Sequence, residues 1–250
     1  MENTSVPTKS IRAVLFDWDG TLVDSALPML LSYRYAYRKH LGILFPKDDA
    51  EFSMIVPMRL AESAAKYGGE HAADVAVAYN WFYEHEGYRR GRVFPGVEET
   101  LAELRRRGYL LGVASNKSSG RIDSDINFLG LEGLVDEFAT SEDTVQRKPD
   151  PAPLFKVAEK LDVDPARCAY VGDYSGDIVA AKAAGMVSVA VTWGGMFPVE
   201  TLLAQSPDYV IYKPEELLNI FRGVAEHGQE QEAALSAGEG SATRSHHTEV

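Results

Sequence analysis

Five short apolar runs, separated by polar turns and by segments with helical spacing, restrict the fold more than any other feature of this chain. They are Ala13–Asp17 (AVLFD), Tyr109–Ala114 (YLLGVA), Phe138–Thr140 (FAT), Cys168–Gly172 (CAYVG) and Val187–Val191 (VSVAV). Apolar residues at consecutive positions, in runs too short for a helix, predict strands buried on both faces. The segments between them follow a different period. After Pro95-Gly96, residues Val97, Leu101 and Leu104 share one helical face, and Gly108 stands where a helix stop is expected. A polar turn and a helix to about Leu129 follow the second run, and Pro153–Leu161 and Asp177–Ala184 read as further helices. Strand, helix, strand in repetition requires right-handed crossovers. The expected class is therefore α/β, a doubly wound, Rossmann-like parallel sheet covered on both faces.

One stretch breaks the alternation. From Asp24 to about Arg92 the pattern is helical and aromatic, with SYRYAYRKHLG near one end and YNWFYEHEGYRR near the other. It reads as a helical insert that leaves the sheet after the first strand and returns at Phe94-Pro95-Gly96. Residues 1–23 and 94–225 would then form the core and 24–93 a cap. From 226 to 250, Gly, Ser, Ala, Glu, Gln and His dominate, His246-His247 included, and a disordered tail is expected.

Charge and composition narrow the function. With 37 acidic against 25 basic residues and a net charge of −12, the chain is a poor match for a nucleic-acid binder. No stretch approaches the ~18 apolar residues of a membrane span, and MENTSVPTKSIR has no apolar leader core. The single cysteine, Cys168, lies in an apolar run and reads as a buried thiol. A cytoplasmic location is the expectation. Oligomeric state is not legible.

The first strand ends in Asp17-Trp-Asp19-Gly-Thr21, two carboxylates one residue apart after a buried run. A calcium loop starting at Asp17 would need Gly at its sixth position and Glu at its twelfth; Leu22 and Pro28 stand there. No Gly-rich phosphate loop of the Walker or dinucleotide type occurs. In an open parallel sheet, functional groups gather beyond the carboxyl ends of the strands. Other strand ends lead to Ser115-Asn116, to Lys148-Pro149, and to Gly172-Asp173 with Asp177 four residues on. If a helix starts at Asp173, both of those carboxylates share one face. Four carboxylates at one edge need a divalent cation. Oxygen donors without a His or Cys cluster favour Mg²⁺. A hard cation, a lysine and hydroxyl donors describe a phosphoryl site.

These four motifs, in this order, resemble the haloacid dehalogenase superfamily of aspartyl phosphohydrolases, over nearly the whole chain from Ile11 to about Phe221. The insert resembles the family's C1 cap. The words FPGVEETLAEL, RKPDPAPL and VGDYSGDIVAAKAAG are similar to the phosphoglycolate phosphatase-like branch. The resemblance implies that Asp17 is the nucleophile and that Asp19 moves the proton. It implies that Ser115 bonds the phosphoryl group, that Asn116 lines the site, and that Lys148 neutralises charge. Asp17, the main-chain carbonyl of Asp19, and Asp173 would hold Mg²⁺, while Asp177 acts through water or by orienting Lys148. Thr21 would support the loop and reach the site, and Gly20 would supply backbone freedom.

Asp19 favours phosphate-ester chemistry, because dehalogenase and phosphonate-cleaving relatives lack an aspartate two places after the nucleophile. Specificity is expected from the cap, where Arg59 in Met54–Arg59 is the candidate for a substrate carboxylate or second phosphate. Arg34, Arg38 and Lys39 read as a solvated helix face. The expected activity is Mg²⁺-dependent hydrolysis of a small, phosphoglycolate-like phosphomonoester. Two alternatives are a phosphomutase with the same motifs and a non-catalytic binding protein on the same scaffold.

Overall fold

The structure is a computed structural model that describes residues 11–222. In chain order its elements are β1 (Ala13–Phe16), β2 (Val23–Asp24), α1 (Ala26–Leu41), α2 (Asp49–Ile55), α3 (Leu60–Gly68), α4 (Ala72–His85), β3 (Arg92–Val93), α5 (Val97–Arg106), β4 (Leu110–Ala114), α6 (Ser119–Leu129), β5 (Glu137–Ala139), α7 (Ala152–Lys160), β6 (Cys168–Gly172), α8 (Ser175–Ala183), β7 (Val187–Val191), α9 (Val199–Leu203), β8 (Tyr209–Ile211) and α10 (Leu217–Ile220). The main sheet has the order β5-β4-β1-β6-β7-β8, with every pairing parallel.

The apolar run of β1 explains its central place. Val14 and Phe16 pack with Leu101 and Leu104 of α5 and Ile122 of α6 on one face. Ala13 and Leu15 pack with Leu154 and Val157 of α7 and Ala180 of α8 on the other. Each large side chain so buried contributes about 1.5–3 kcal/mol, and alternation in a strand serves both faces at once. The connections part on either side of β1, toward β4 and toward β6. That puts a crevice at the carboxyl ends of these three strands, where α/β folds bind ligands.

Between β2 and β3 the chain leaves the sheet. These two short strands pair antiparallel, Val23 with Val93 and Asp24 with Arg92, and the Arg92 guanidinium grips Asp24 Oδ2 at 2.9 Å. The helices beyond this neck have their own core. Tyr33 and Tyr37 of α1, Ile55 of α2, Ala64 of α3 and Val75 and Tyr79 of α4 form it, with Phe45 against them. Tyr33 and Tyr79 approach ring to ring at 4.5 Å. Most of the aromatic excess in this stretch is therefore packing.

Two expectations change. β8 was not anticipated; it is three residues long and only partly buried, so its apolar run is too short to stand out. Ser188 fixes it in place, its N–H and hydroxyl both donating to Asp208 Oδ2. The helix after β6 begins at Ser175, so Asp173 precedes it and does not share a helical face with Asp177. The expected tail at 226–250 lies outside the described residues.

Candidate active site

Two strand ends and one helix start deliver the acidic groups. Asp17 follows β1, and its Oδ1 accepts the Trp18 N–H at 2.7 Å. Asp173 follows β6, held by the Thr21 hydroxyl, which donates to its Oδ1 at 3.2 Å. Asp177 sits in the first turn of α8, where its Oδ2 accepts the Tyr174 N–H at 3.0 Å. This fold-back brings it beside Asp173 without a shared helical face. Oxygens of Asp17, Asp173 and Asp177 lie within 4.8 Å of one another, all buried or nearly so.

Two glycines permit that closeness. A Cβ on Gly172 would stand 2.4 Å from Asp177 Oδ2. One on Gly20 would stand 2.1 Å from Asp173 Oδ2, and Gly20 has φ +78°, which favours glycine in any case.

Lys148 is the cation set against this cluster. Its side chain is 2% exposed, with Nζ 2.8 Å from Asp17 Oδ1 and 2.8 Å from Asp177 Oδ1. Nζ also donates to the Tyr170 hydroxyl at 2.7 Å, and that hydroxyl donates to Ala114 O at 2.6 Å. Asn116 clamps the lysine's backbone, donating through Nδ2 to Lys148 O and accepting at Oδ1 from Lys148 N, both at 3.1 Å.

One ammonium does not satisfy three carboxylates. Burial pushes the Asp17 carboxyl up to about 6, against the pull of Lys148 and with the repulsion of Asp177 and Asp19 added. Burial also drives Asp173 well above the usual carboxylate range, helped by Asp177 and Asp17. Asp173 Oδ2 is buried without a hydrogen-bond partner, and Asp177 Oδ1 has only its ion pair with Lys148. Orphaned buried oxygens in an oxygen-only donor set fit a hard divalent cation.

Asp19 is set apart from this cluster. Burial alone would raise its carboxyl, but the ammonium and hydrogen bond of Lys117, with the Ser25 hydroxyl and the Arg121 charge, together leave it below the usual range. Its Oδ1 lies 2.7 Å from Lys117 Nζ. The side chain therefore stands outside the carboxylate group expected to hold metal, leaving the Asp19 main-chain carbonyl as its available ligand. Asp177 takes its place in the carboxylate cluster.

The site opens into a cavity of about 360 Å³ between the sheet edge and the helical insert, lined by Asp17, Asp19, Ser115, Asn116, Lys148 and Asp173 among others. Ser115 is 3% exposed, with its N–H on Ala139 O. Arg59 reaches the cavity from the loop before α3, half-exposed and 3.7 Å from Glu62. Thr21 is fully buried behind Asp173 and is not among the lining residues; its hydroxyl serves the carboxylate rather than a ligand. Arg34 is occupied by Pro46 O and Lys47 O, and Lys39 lies over the Tyr35 and Trp81 rings.

Lys117, Arg121, Arg147 and Tyr170 escaped the sequence reading. Lys117 directly follows Ser115-Asn116, so proximity to a motif was a usable signal. Arg121, half-buried on α6, donates through Nε to Ser118 Oγ at 2.8 Å. Arg147 precedes Lys148; burial holds its guanidinium below the usual range, with the like charges of Arg59 and Arg121 adding to it.

Comparison with known proteins decides the family. The model of the haloacid dehalogenase-like hydrolases matches residues 14–191. This chain belongs to that family. It is 30% identical over 212 residues to the pyrophosphatase PpaX of Bacillus velezensis, covering 85% of this chain and 97% of the relative. To the phosphoglycolate phosphatase of Haemophilus influenzae it is 29% identical over 222 residues, covering 84% and 97%. A haloacid dehalogenase-like hydrolase of Streptococcus pneumoniae superposes with a TM-score of 0.76 at 25% identity, covering 84% of this chain and 98% of that one. As a member of the family this chain is a hydrolase, and the two named relatives are a pyrophosphatase and a phosphoglycolate phosphatase.

Proposed function

We propose that the chain is a Mg²⁺-dependent phosphatase that hydrolyses a small, doubly anionic phosphate substrate, phosphoglycolate-like, through a phosphoaspartyl intermediate. The carrying observation is the buried group of Asp17, Asp173 and Asp177, with one lysine between two of them and an unpartnered Asp173 oxygen. In this reading residues 24–93 are a cap that sets specificity, and 1–23 with 94–225 are the catalytic core. The small metabolite binds between them. A cytoplasmic location belongs to the same reading and rests on a chain whose one cysteine has no intrachain partner.

Asp17, Asp173 and the Asp19 main-chain carbonyl would hold the ion, with Asp177 at its edge. Bound there, Mg²⁺ supplies charge neutralisation for a phosphoryl group beside the carboxylates. Lys148 and the Trp18 N–H hold Asp17 Oδ1, leaving Oδ2 the less committed oxygen. Asp17 attacks phosphorus, the new bond forming as the phosphorus–leaving-oxygen bond breaks, and Asp19, which Lys117 keeps ionised in the free site and which takes up a proton as the anionic substrate binds, gives that oxygen its proton. Asp19 then takes a proton from the water that cleaves the acyl phosphate, which releases phosphate and frees Asp17. Ser115 donates to the phosphoryl oxygens, and Lys148 keeps Asp17 and the phosphoryl group electrostatically compatible.

The second anionic group of the substrate is read from three arginines. Arg59, Arg121 and Arg147 line the same cavity, and Arg147 has no carboxylate within ion-pair distance among the described residues. Like charges that repel one another in a cavity fit an anion between them. Pyrophosphate is the second reading, favoured by the PpaX relative and by the same arginines.

Phosphate release from 2-phosphoglycolate, pyrophosphate, hexose phosphates and nucleotides, with and without Mg²⁺, tests the proposal. It predicts Mg²⁺-dependent turnover with preference for one of the first two. Isomer formed faster than free phosphate would replace it with a mutase. No Mg²⁺-dependent turnover on any substrate would refute it. Arg147→Ala should raise KM for substrates that carry a second anionic group and leave KM for p-nitrophenyl phosphate, which has only its one phosphate, nearly unchanged.

A further inference from the structure

Behind Asp19 lies a closed polar network that the reaction above does not use. Lys117 Nζ has three N–H donors and three acceptors: Asp19 Oδ1 at 2.7 Å, Asp125 Oδ2 at 2.6 Å and the Tyr83 hydroxyl at 2.5 Å. Asp125 in turn accepts from the Trp18 indole N–H at 2.8 Å and from the Tyr83 hydroxyl at 3.1 Å. Lys117 is 1% exposed, and Asp125, Tyr83 and Trp18 are fully buried. Such a network is unfavourable unless every group is satisfied. Each of these groups has a partner.

The four residues come from four different places. Trp18 neighbours both Asp17 and Asp19, Lys117 follows β4, Asp125 lies on α6 of the core, and Tyr83 lies on α4 of the helical insert. The seat of α4 on α6 is close, since a Cβ on Gly120 would stand 3.1 Å from Glu84 Oε1. An ammonium with all its donors fixed has one position, and it dictates where Asp19 Oδ1 sits.

We propose that Lys117 is a positioning residue for Asp19, and that Tyr83 makes the placement of that carboxylate depend on the seating of the insert on the core. The inference rests on Asp19 being the group that protonates the leaving oxygen. With Oδ1 tethered to Lys117, Oδ2 is left to meet that oxygen. When α4 lifts, Lys117 loses one of its three acceptors and Asp19 loses its fixed orientation. Proton transfer is thereby confined to the seated, water-excluding arrangement.

Leaving-group dependence separates this role from a merely structural one. The readout is kcat/KM with Mg²⁺, which reports the first phosphoryl transfer, on p-nitrophenyl phosphate and on an alkyl phosphate such as 2-phosphoglycolate. The first leaves with little need of an acid; the second does not. Lys117→Met is expected to reduce the alkyl value by about 100-fold or more and the aryl value by less than about 10-fold. Tyr83→Phe should show the same selectivity at about 3–10-fold. Because Lys117→Met strands a buried carboxylate, the double variant Lys117→Met/Asp125→Asn is measured beside it and should give the same ratio. Equal losses on both substrates, or no loss, would overturn the proposal. Asp19→Asn is the reference: if it too acts equally on both substrates, the assignment of Asp19 is wrong. If it is selective and the Lys117 variants are not, only the positioning role fails.

Discussion

Removing divalent cations should expose the electrostatic tension of the carboxylate cluster as a pH-dependent loss of stability. Burial, opposed by Lys148 and reinforced by Asp177 and Asp19, raises the Asp17 carboxyl from 3.8 to about 6. The folded chain thus holds this proton more tightly than the unfolded chain, by about 3 kcal/mol at 1.36 kcal/mol per unit. Since the folded value is the higher one, the contribution is full below 3.8 and is lost as pH rises through about 6. From about pH 5 to about pH 7.5, Asp17 alone accounts for a loss of roughly 1.4 kcal/mol. Asp173, also raised, adds to it in the same direction. A cation bound only by the folded chain restores about 2.7 kcal/mol at a hundredfold excess over its Kd. It restores less at the lower pH, where the ligands must first lose protons. The assay is urea unfolding of wild type and Asp17→Asn at both pH values, in EDTA and in Mg²⁺. In EDTA, wild type should lose more stability than Asp17→Asn between the two pH values, and the Mg²⁺ increment should be larger at the higher one. Equal slopes for the two proteins, or an identical Mg²⁺ increment at both pH values, would refute the reasoning.

Other perturbations follow from single contacts. Tyr170→Phe removes the hydroxyl shared by Lys148 and Ala114 O, so urea unfolding should show a loss of about 1–3 kcal/mol. An unchanged midpoint would mean that water replaces it. Gly20→Ala drives a methyl into Asp173 Oδ2 at a left-handed backbone position. Stability should fall by about 1–3 kcal/mol, and the Mg²⁺ concentration that half-saturates the thermal shift should rise at least ~10-fold. Burial pushes the Cys168 thiol up to about 12 from 9.0. Its alkylation at pH near 8 should therefore be about 1,000-fold slower in the folded than in the unfolded protein, and comparable rates would show that the strand around it opens readily.

The sheet core was legible because β1, β4, β6 and β7 are buried on both faces and carry near-continuous apolar runs, while α5 carries a clean helical stripe. β8 was not, since three residues, two of them half-buried, give no periodicity and its place depends on a distant Ser188–Asp208 contact. Asp17, Ser115, Asn116 and Asp173 were found because they directly follow strand ends in the chain. Lys117 adjoins a motif and was overlooked. Asp125 interrupts the apolar stripe of Ile122, Ile126 and Leu129 on α6, and a carboxylate on such a stripe implies a buried partner. Tyr83 carries no local sign of its role, because its separation of 34 positions from Lys117 is closed only by tertiary packing. Thr21 belongs to the first motif, but its partner was not legible there, because its hydroxyl turns to a carboxylate 152 residues away.

The central claim is that Asp17 carries the phosphoryl group. Quenching Mg²⁺-dependent turnover in acid, reducing the protein with borohydride and sequencing its peptides by mass spectrometry tests this directly, because an acyl phosphate is reduced to an alcohol. Homoserine at position 17, and its disappearance in Asp17→Asn together with turnover, is the predicted result. Turnover accompanied by reduction at a different residue, or at none, would contradict the account.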